Sequence, residues 1–237
     1  MKQTLKTAFI STLPVMVGYL VLGLAFGLLM NSHGFNALWV LAMSLFIYAG
    51  SLQFVAVDLL TGAAISPLTV AVTSLMINAR HIFYGISMLD RYKNAGKKKP
   101  YLIFALTDET YSLVCNGYKG EAEHEHDYYF FVSLFDHCYW VLGGVIGCLI
   151  GELLPFTIVG IDFALTALFV TVFFDQWFNS NSHFSAITGI VCSVICLLIF
   201  GAERFLIPAM IMIFAVISIA KFFKRKPKEE EHDLSDN

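Results

Sequence analysis

Residues 8–30 read AFISTLPVMVGYLVLGLAFGLLM, a continuous run without Asp, Glu, Lys or Arg. A helix of about 20 apolar residues crosses the hydrocarbon core of a bilayer, so this run is long enough to span a membrane. It is longer than the apolar core of a secretory signal, and no small-x-small cleavage motif follows it. We therefore expect an uncleaved first transmembrane helix.

The rest of the chain is similarly apolar. Hydrophobic residues make up 57% of the 237 residues and charged residues 14%, with a mean hydropathy of +0.71. A soluble domain has about a quarter charged residues and could not hide this much apolar surface. We predict an all-α, polytopic membrane helical bundle of about six to eight membrane segments. The candidate segments are 8–30, 36–60, 65–89, 101–117, 128–151, 160–178, 184–201 and 204–223.

Charge and cysteine content exclude several functions. The net charge is -3, and no basic run interleaved with aromatic residues indicates nucleic-acid binding. All five cysteines lie in apolar runs without a Cys-x-x-Cys pair or a zinc-ligand spacing, so we predict neither a metal nor another cofactor. We expect one transmembrane domain over 1–223 and a charged cytoplasmic tail over 224–237.

The distribution of Lys and Arg indicates an interrupted helix at 36–60. Lys and Arg favour the cytoplasmic side, and they concentrate at the amino end, at 91–99 and at 221–226. Eight full crossings would place 91–99 outside, whereas a broken or re-entrant 36–60 segment returns that loop to the cytoplasm. Gly50 and Ser51 can interrupt the helix there, which is tolerated at membrane depth only against protein or water. We expect both chain ends in the cytoplasm.

A second stretch of the chain resembles this interrupted segment. Residues 44–54 are similar to residues 167–177, and each stretch follows a helix with regularly spaced glycines. Two halves over 8–117 and 128–223, of opposite orientation and each with a broken or re-entrant helix, would form an inverted repeat, a recurrent plan among transporters. Chance similarity between two apolar segments is the alternative.

Polar residues inside apolar segments are costly and therefore mark candidate sites. A helix broken at Gly50 and Ser51 would offer free backbone groups, with Gln53 adding hydrogen bonds. The positive end of a half-helix suits a substrate carboxylate. The alternative is glycine packing between helices, with Gln53 as an interhelical hydrogen-bonding residue.

Asn78, Arg80 and His81 lie within the apolar run 65–89. An unpaired buried charge is very unfavourable, so Arg80 needs a partner. Its guanidinium can bind a carboxylate through two parallel hydrogen bonds, which makes Asn78 and Arg80 candidate substrate-binding residues. The alternative is that Arg80 extends to the cytoplasmic surface.

Asp108 and Glu109 are adjacent carboxylates within the short run 101–117. Their repulsion favours a proton on one of them, which suits a proton-carrying group. They point to different faces of a helix, so at most one faces Arg80. We predict that Asp108, Glu109 and His81 carry a coupling proton or form an ion pair, and a purely structural ion pair is the alternative.

The second half offers further candidates. These are Asp162, Asp175 and Gln176, with Asp136 and His137 in the preceding helix. Asp162 could instead cap a helix, and Asp175 could lie at the membrane interface. The acidic loop at 121–127 is interpreted as solvated rather than metal-binding.

No motif of a membrane enzyme is present. The sequence contains no His-Glu-x-x-His, Gly-x-Ser-x-Gly or Walker motif, so we predict that the chain is not an enzyme and has no ATPase of its own.

Five motifs in order resemble those of the AzlC family, the large subunits of two-component branched-chain amino acid exporters. They are GLAFG at 23–27, SLFIYAGSLQF at 44–54, INARH at 77–81, LTDE at 106–109 and GIDFA at 160–164. Ala79 stands where the family pattern has leucine, a conservative change.

The resemblance implies export of valine, leucine or isoleucine, and in some relatives methionine, driven by the proton gradient. It also implies a small AzlD-like membrane subunit as partner and a location in the bacterial cytoplasmic (inner) membrane. A channel or transporter for another small solute, and a structural membrane subunit without transport activity, are the alternative functions.

Overall fold

The structure is a computed structural model that describes residues 1–61, 66–153, 163, 166–167, 170, 173–174, 177–178, 182–201, 205, 208–209 and 211–220. Within these ranges the chain is helical and contains no strand. It forms two compact units, Met1–Leu168 and Phe169–Asn237. The all-α class predicted from the sequence is therefore confirmed.

Among the described residues of the first unit there are two long helices and six short ones. They are α1 (Lys2–Ser32), α2 (Ala37–Phe46), α3 (Gly50–Thr61), α4 (Pro67–Asn78), α5 (Arg80–Met88), α6 (Lys99–Phe104), α7 (Asp108–Val114) and α8 (Glu125–Leu153). Single 3-10 turns at Gly96–Lys98 and Ala122–His124 precede α6 and α8. In the second unit, α9 (Phe184–Phe200) and α10 (Ile211–Ala220) are described.

Helices α1 and α8 form the central pair of the first unit. In the part of the chain that the structure describes, only Lys2–Ser32 and Ala122–Leu153 are long and apolar enough to cross a membrane as single helices. Their backbones meet at glycines: a Cβ added to Gly27 would lie 2.0 Å from the carbonyl oxygen of Gly144. A Cβ on Gly147 would lie 2.3 Å from the carbonyl oxygen of Leu24. This close approach requires residues without side chains.

Three of the predicted membrane segments are interrupted near their middle. The segment 36–60 breaks at 47–49 between α2 and α3, 65–89 breaks at Ala79 between α4 and α5, and 101–117 breaks at 105–107 between α6 and α7. No half exceeds 12 residues, or roughly 18 Å, which is about half the thickness of a bilayer. The sequence predicts the first break at Gly50 and Ser51, whereas the structure places it at 47–49 and begins α3 at Gly50. The other two breaks are not predicted from the sequence.

Local sequence explains where the halves begin. Asn36 caps α2, because its side-chain oxygen accepts from the backbone N–H groups of Leu38 and Trp39. Thr107 caps α7 through a hydrogen bond from the N–H of Thr110. Tyr48, in the first break, has φ +43°, a left-handed conformation that is rare for a bulky residue. The side chains of Asn36 and Thr107 thus accept hydrogen bonds from N–H groups that have no partner within their helices.

The described residues of the first unit form two buried apolar clusters. One surrounds Phe26, Met30 and Trp140 between α1, α2, α3 and α8, and the other surrounds Met88, Leu102 and Tyr129. Large apolar side chains also cover the outside of the helices, including Val17 and Val21 on α1, each 61% exposed. Such an apolar exterior is expected of a surface in contact with lipid.

In the second unit, α9 buries one face. Thr188, Cys192 and Cys196 lie on that face at helical spacing. Helix α8, which the predicted repeats assign to the second half of the chain, lies in the first unit along α1. The inverted repeat, and the re-entrant course of 36–60 and 160–178, stay predictions.

Candidate functional site

The helix interruptions at 47–49, Ala79 and 105–107 meet at one small cavity, which we call the polar cavity. Its volume is about 40 Å³. It is lined by Tyr19, Leu22, Tyr48, Ala49, Gly50, Ser51, Asn78, Arg80, His81, Thr107, Asp108, Glu109 and Trp140. Seven of the residues singled out from the sequence are among them: Gly50, Ser51, Asn78, Arg80, His81, Asp108 and Glu109. This volume has room for only a few water molecules, so a larger ligand requires the polar cavity to open.

Arg80 connects the broken helices. Its Nη1 lies 2.5 Å from Oδ2 of Asp108 at the start of α7, and its Nη2 donates to Oγ of Ser51 at the start of α3, 3.1 Å away. The two charged side chains are 38% and 28% exposed. Nε of Arg80 and Oδ1 of Asp108 have no hydrogen-bond partner among the described residues, although both atoms are buried. The pair therefore retains hydrogen-bonding capacity for a ligand.

Glu109, the carboxylate next to Asp108 in the sequence, faces α1 and not Arg80. Its Oε2 accepts a hydrogen bond from the hydroxyl of Tyr19 at 2.7 Å. The same hydroxyl lies 2.7 Å from Oγ1 of Thr107. Because adjacent positions on a helix project in different directions, Asp108 and Glu109 present their charges to opposite sides of the polar cavity.

Gln53 lies outside the polar cavity but fixes one of its walls. The side chain is fully buried, its Oε1 accepts from Nε1 of Trp140 at 2.8 Å, and its Nε2 donates to Oγ of Ser44 at 3.4 Å. The indole of Trp140 then packs against Gly50, where an added Cβ would lie 3.1 Å from the ring. Gln53 thus positions an aromatic wall next to the first break.

A larger and mostly apolar cavity adjoins the polar one. It measures about 400 Å³, within the usual range of small-molecule pockets. It shares Tyr48, Ala49, Asn78 and His81 with the polar cavity. Its other lining residues are Ile47, Ile82, Gly85, Met88, Leu89, Tyr92, Lys99, Ile103, Phe104 and Leu106. We call it the apolar cavity.

Asp136, on α8, is the most buried carboxylate near the site. Its side chain is fully buried, and Oδ2 accepts a hydrogen bond from Oγ1 of Thr110 at 2.8 Å. The neighbouring His137 bonds the carbonyl oxygen of Ser44 through Nε2 and the hydroxyl of Tyr101 through Nδ1. From the sequence, Asp136 and His137 are candidates only as part of the second-half set.

Sequence reasoning missed the aromatic members of the site. Tyr19, Tyr48 and Trp140 line the polar cavity, but aromatic residues in apolar segments give no signal that distinguishes a wall from a packing residue. The second-half candidates Asp162, Asp175 and Gln176 lie outside the described residues. Within the described ranges, no group of three or more His, Cys, Asp or Glu side chains could hold a metal ion.

These features define the class of the protein: an integral membrane protein whose interrupted helices converge on a charged internal cavity. The chain belongs to the AzlC family, described as AzlC protein, which it matches over residues 14–154. The branched-chain amino acid transport protein AzlC of Bacillus subtilis is 44% identical over 228 residues, covering 95% of this chain and 87% of that protein.

Other relatives are also named as membrane proteins. An uncharacterized membrane protein of Helicobacter pylori is 41% identical over 223 residues, covering 94% of this chain and 96% of its own. The inner membrane protein YgaZ of Escherichia coli is 32% identical over 168 residues, 68% of each chain. No solved structure matches the chain.

Proposed function

We propose that this protein is the large subunit of a transporter that exports branched-chain amino acids. Valine, leucine and isoleucine are the substrates, with methionine as a further one, and the proton gradient drives export. The observation that carries the proposal is the position of Arg80, held between Ser51 and Asp108 where three broken helices meet. The name of the Bacillus subtilis relative, a branched-chain amino acid transport protein, supports the substrate class.

Arg80 is the binding group for the substrate carboxylate. A guanidinium binds a carboxylate through two parallel hydrogen bonds, and Nε of Arg80 is still without a partner in the described structure. The first turn of α3 begins at Gly50 and Ser51 and presents free backbone N–H groups beside it. The positive end of this half-helix adds to the attraction for a carboxylate.

The ammonium group of the substrate binds on the acidic side of the polar cavity. Asp108 already faces Arg80, and its second oxygen, Oδ1, lacks a partner among the described residues. When the substrate carboxylate binds Arg80, Asp108 exchanges the guanidinium for the substrate ammonium. Charge stays balanced through this exchange, since one ion pair is replaced by two.

The aliphatic side chain enters the apolar cavity. Its walls include Ile82, Met88, Ile103 and Phe104, and its volume of about 400 Å³ admits a branched side chain. Asn78 and His81 line both cavities, so they lie at the boundary between the charged head group and the side chain. A zwitterion with an apolar side chain matches this division of polarity.

Transport requires the polar cavity to open alternately to the two sides of the membrane. The breaks at 47–49, Ala79 and 105–107 are the places where short helices can pivot, because each lacks continuous helical hydrogen bonds. Coupling to protons is assigned to the carboxylates of the site. A small AzlD-like subunit in the same bacterial inner membrane completes the transporter.

The test is efflux of labelled leucine from preloaded cells that express the chain with and without its small partner subunit. We expect saturable efflux that needs both subunits and falls to background when the proton gradient is collapsed. Arg80→Lys, which keeps the charge but loses the planar fork, should raise the half-saturating leucine concentration.

Two outcomes would overturn the proposal. Background efflux of all branched-chain amino acids and methionine, with both subunits present in the membrane, would remove this substrate class. Electrical conductance that does not saturate with substrate would instead identify a channel.

A further inference from the structure

A row of hydroxyl groups connects Glu109 in the polar cavity with the buried Asp136. Oε2 of Glu109 lies 2.7 Å from the Tyr19 hydroxyl, which lies 2.7 Å from Oγ1 of Thr107. That oxygen lies 3.2 Å from Oγ1 of Thr110, which donates to Oδ2 of Asp136 at 2.8 Å. All four separations are short enough for hydrogen bonds, so the row is continuous from one carboxylate to the other. We call it the hydroxyl wire.

A count of hydrogens shows that the hydroxyl wire is one proton short when both carboxylates are ionised. Its four contacts need four hydrogens, and the three hydroxyl groups supply one each. If Tyr19 donates to Glu109 and Thr107 donates to Thr110, no hydrogen remains for the 2.7 Å contact between Tyr19 and Thr107. A single carboxylic acid proton at either end completes all four hydrogen bonds.

The surroundings of Asp136 favour the proton at that end. Its side chain is fully buried, its second oxygen Oδ1 has no partner in the described structure, and none of the described salt bridges includes it. An ionised carboxylate with one hydrogen bond and no cation is strongly disfavoured in such a place. Glu109 has no such restriction, because it lines the polar cavity.

We propose that Glu109 and Asp136 share one proton through the hydroxyl wire and that Asp136 stores the proton that drives transport. This inference rests on the proposed function for its link to transport. When the acid proton starts on Glu109, it passes to the Tyr19 oxygen. Each hydroxyl passes its own hydrogen to the next oxygen, and Asp136 Oδ2 receives the last one. One proton moves, four hydrogen bonds reverse their direction, and no other bond changes.

Other titratable groups face this pair from each neighbouring element. Tyr19 of α1, Tyr48 of the α2–α3 break and Tyr101 of α6 interact electrostatically with Asp136, as does Glu109 of α7. His137 follows Asp136 on α8 and is bonded to Ser44 and Tyr101. Asp108, next to Glu109, is paired with Arg80. None of these groups is a cation in contact with Asp136, so none replaces the proton.

The first experiment does not depend on transport. Infrared spectra of the purified full chain with its partner subunit, in lipid at neutral pH, report carbonyl stretching of protonated carboxylic acids. Asp136→Asn should remove one such band, because the Asn amide donates to Thr110 and completes the hydroxyl wire without an acid proton. Thr110→Val should shift the band, because the acid loses its hydrogen-bond partner, whereas Thr110→Ser should leave it in place. An Asp136→Asn spectrum identical to the wild-type spectrum in this region would overturn the proposal.

The second experiment compares leucine exchange with gradient-driven efflux in vesicles that contain both subunits. We expect Asp136→Asn to exchange leucine across the membrane as the wild type does, and to lose all stimulation by the proton gradient. If the Asn variant does not fold, the comparison of Thr110→Val with Thr110→Ser decides, since only the former interrupts the hydroxyl wire. If the proton gradient still stimulates efflux in Asp136→Asn or in Thr110→Val, Asp136 is not the residue that stores the proton. The same conclusion follows if a folded Asp136→Asn variant loses leucine exchange as well as stimulation by the gradient. Absence of leucine exchange in the wild type would overturn the proposed function. The infrared spectra would then be the test of whether Glu109 and Asp136 share a proton.

Discussion

Arg80 and Asp108 form an ion pair across two helix breaks, with Nη1 of the arginine 2.5 Å from Oδ2 of the aspartate. Arg80 begins α5 and Asp108 begins α7, so the pair joins two half-length helices at the depth where both are interrupted. The same guanidinium bonds Ser51 at the start of α3. One side chain thereby connects all three breaks.

The first prediction separates the structural and functional roles of this pair. Arg80→Ala should abolish leucine efflux and lower the free energy of unfolding by about 1–2 kcal/mol, because Asp108 loses its cation in a partly exposed site. In the double variant Arg80→Ala/Asp108→Asn, stability should return while efflux stays absent. Thermal unfolding and efflux, measured on the same membranes, distinguish the two. Recovery of efflux in the double variant would show that Arg80 serves only to neutralise Asp108.

The second prediction concerns the hydroxyl of Tyr48. This oxygen is buried beside the hydroxyl of Tyr19 but makes no well-aligned hydrogen bond among the described residues, so it is available to a ligand in the polar cavity. Tyr48→Phe should leave the protein equally stable, or more stable by about 1 kcal/mol, since an unsatisfied group is removed. The half-saturating leucine concentration should rise. Leucine kinetics unchanged from wild type would show that this hydroxyl does not contact substrate.

The third prediction uses Gly85 to test where the substrate side chain binds. Gly85 lines the apolar cavity, and a Cβ added there would have no atom within 4 Å. Gly85→Val therefore adds side-chain volume beside the apolar cavity, and its Cβ meets no protein atom. Efflux of leucine and isoleucine should fall more than efflux of valine. Met88→Leu, which nearly conserves volume in the same cavity, is the matched control and should change the preference little.

An equal loss of efflux for all three amino acids in Gly85→Val would contradict this position of the side chain. Valine has a higher helix propensity than glycine, so the substitution does not weaken α5 through its backbone. Thermal unfolding of the variant provides the necessary comparison, since a selectivity change in an equally stable protein reports the cavity itself.

The fourth prediction compares two glycines of α1. A Cβ on Gly27 would lie 2.0 Å from the backbone of α8, whereas one on Gly18 would have no atom within 4 Å. Gly27→Ala should destabilise the protein by about 1–3 kcal/mol, because two backbones must separate. Gly18→Ala should be neutral or stabilising by up to about 1 kcal/mol, because Ala favours the helix. Similar melting temperatures for the two variants would show that α1 and α8 are not in backbone contact.

The sequence was sufficient for the class of fold and for most of the polar cavity. Lipid-exposed helices need a continuous apolar run, which composition alone reveals, and a charged residue inside such a run is too costly to be incidental. That reasoning identified Arg80, Asp108 and Glu109, and the glycine at position 50 identified the break beside it.

The remaining parts of the site depend on contacts distant in sequence. The break at 105–107 contains no glycine or proline, although Thr107 before two acidic residues is a recognisable start signal for a helix. The backbone of Tyr48 adopts a conformation that its residue type disfavours, and it is fixed by burial of the ring 4.2 Å from that of His137. Gln53 acquires its role from Trp140, 87 residues away. The sequence pattern around a residue does not indicate which distant residue it will contact.

The glycine contact between α1 and α8 determines which parts of the site can move. Two helices whose backbones touch along several turns behave as one rigid body, and they hold Tyr19 and Asp136 at a fixed separation. Arg80, Asp108 and Glu109 stand instead on short helices with a break at one end. We therefore expect Asp136 to stay in place during transport, while the short helices that bear Arg80, Asp108 and Glu109 move relative to it. In that arrangement, the hydrogen bonds of the hydroxyl wire form in one conformation of the transport cycle and break in the other. Proton transfer between Glu109 and Asp136 is then restricted to the first conformation.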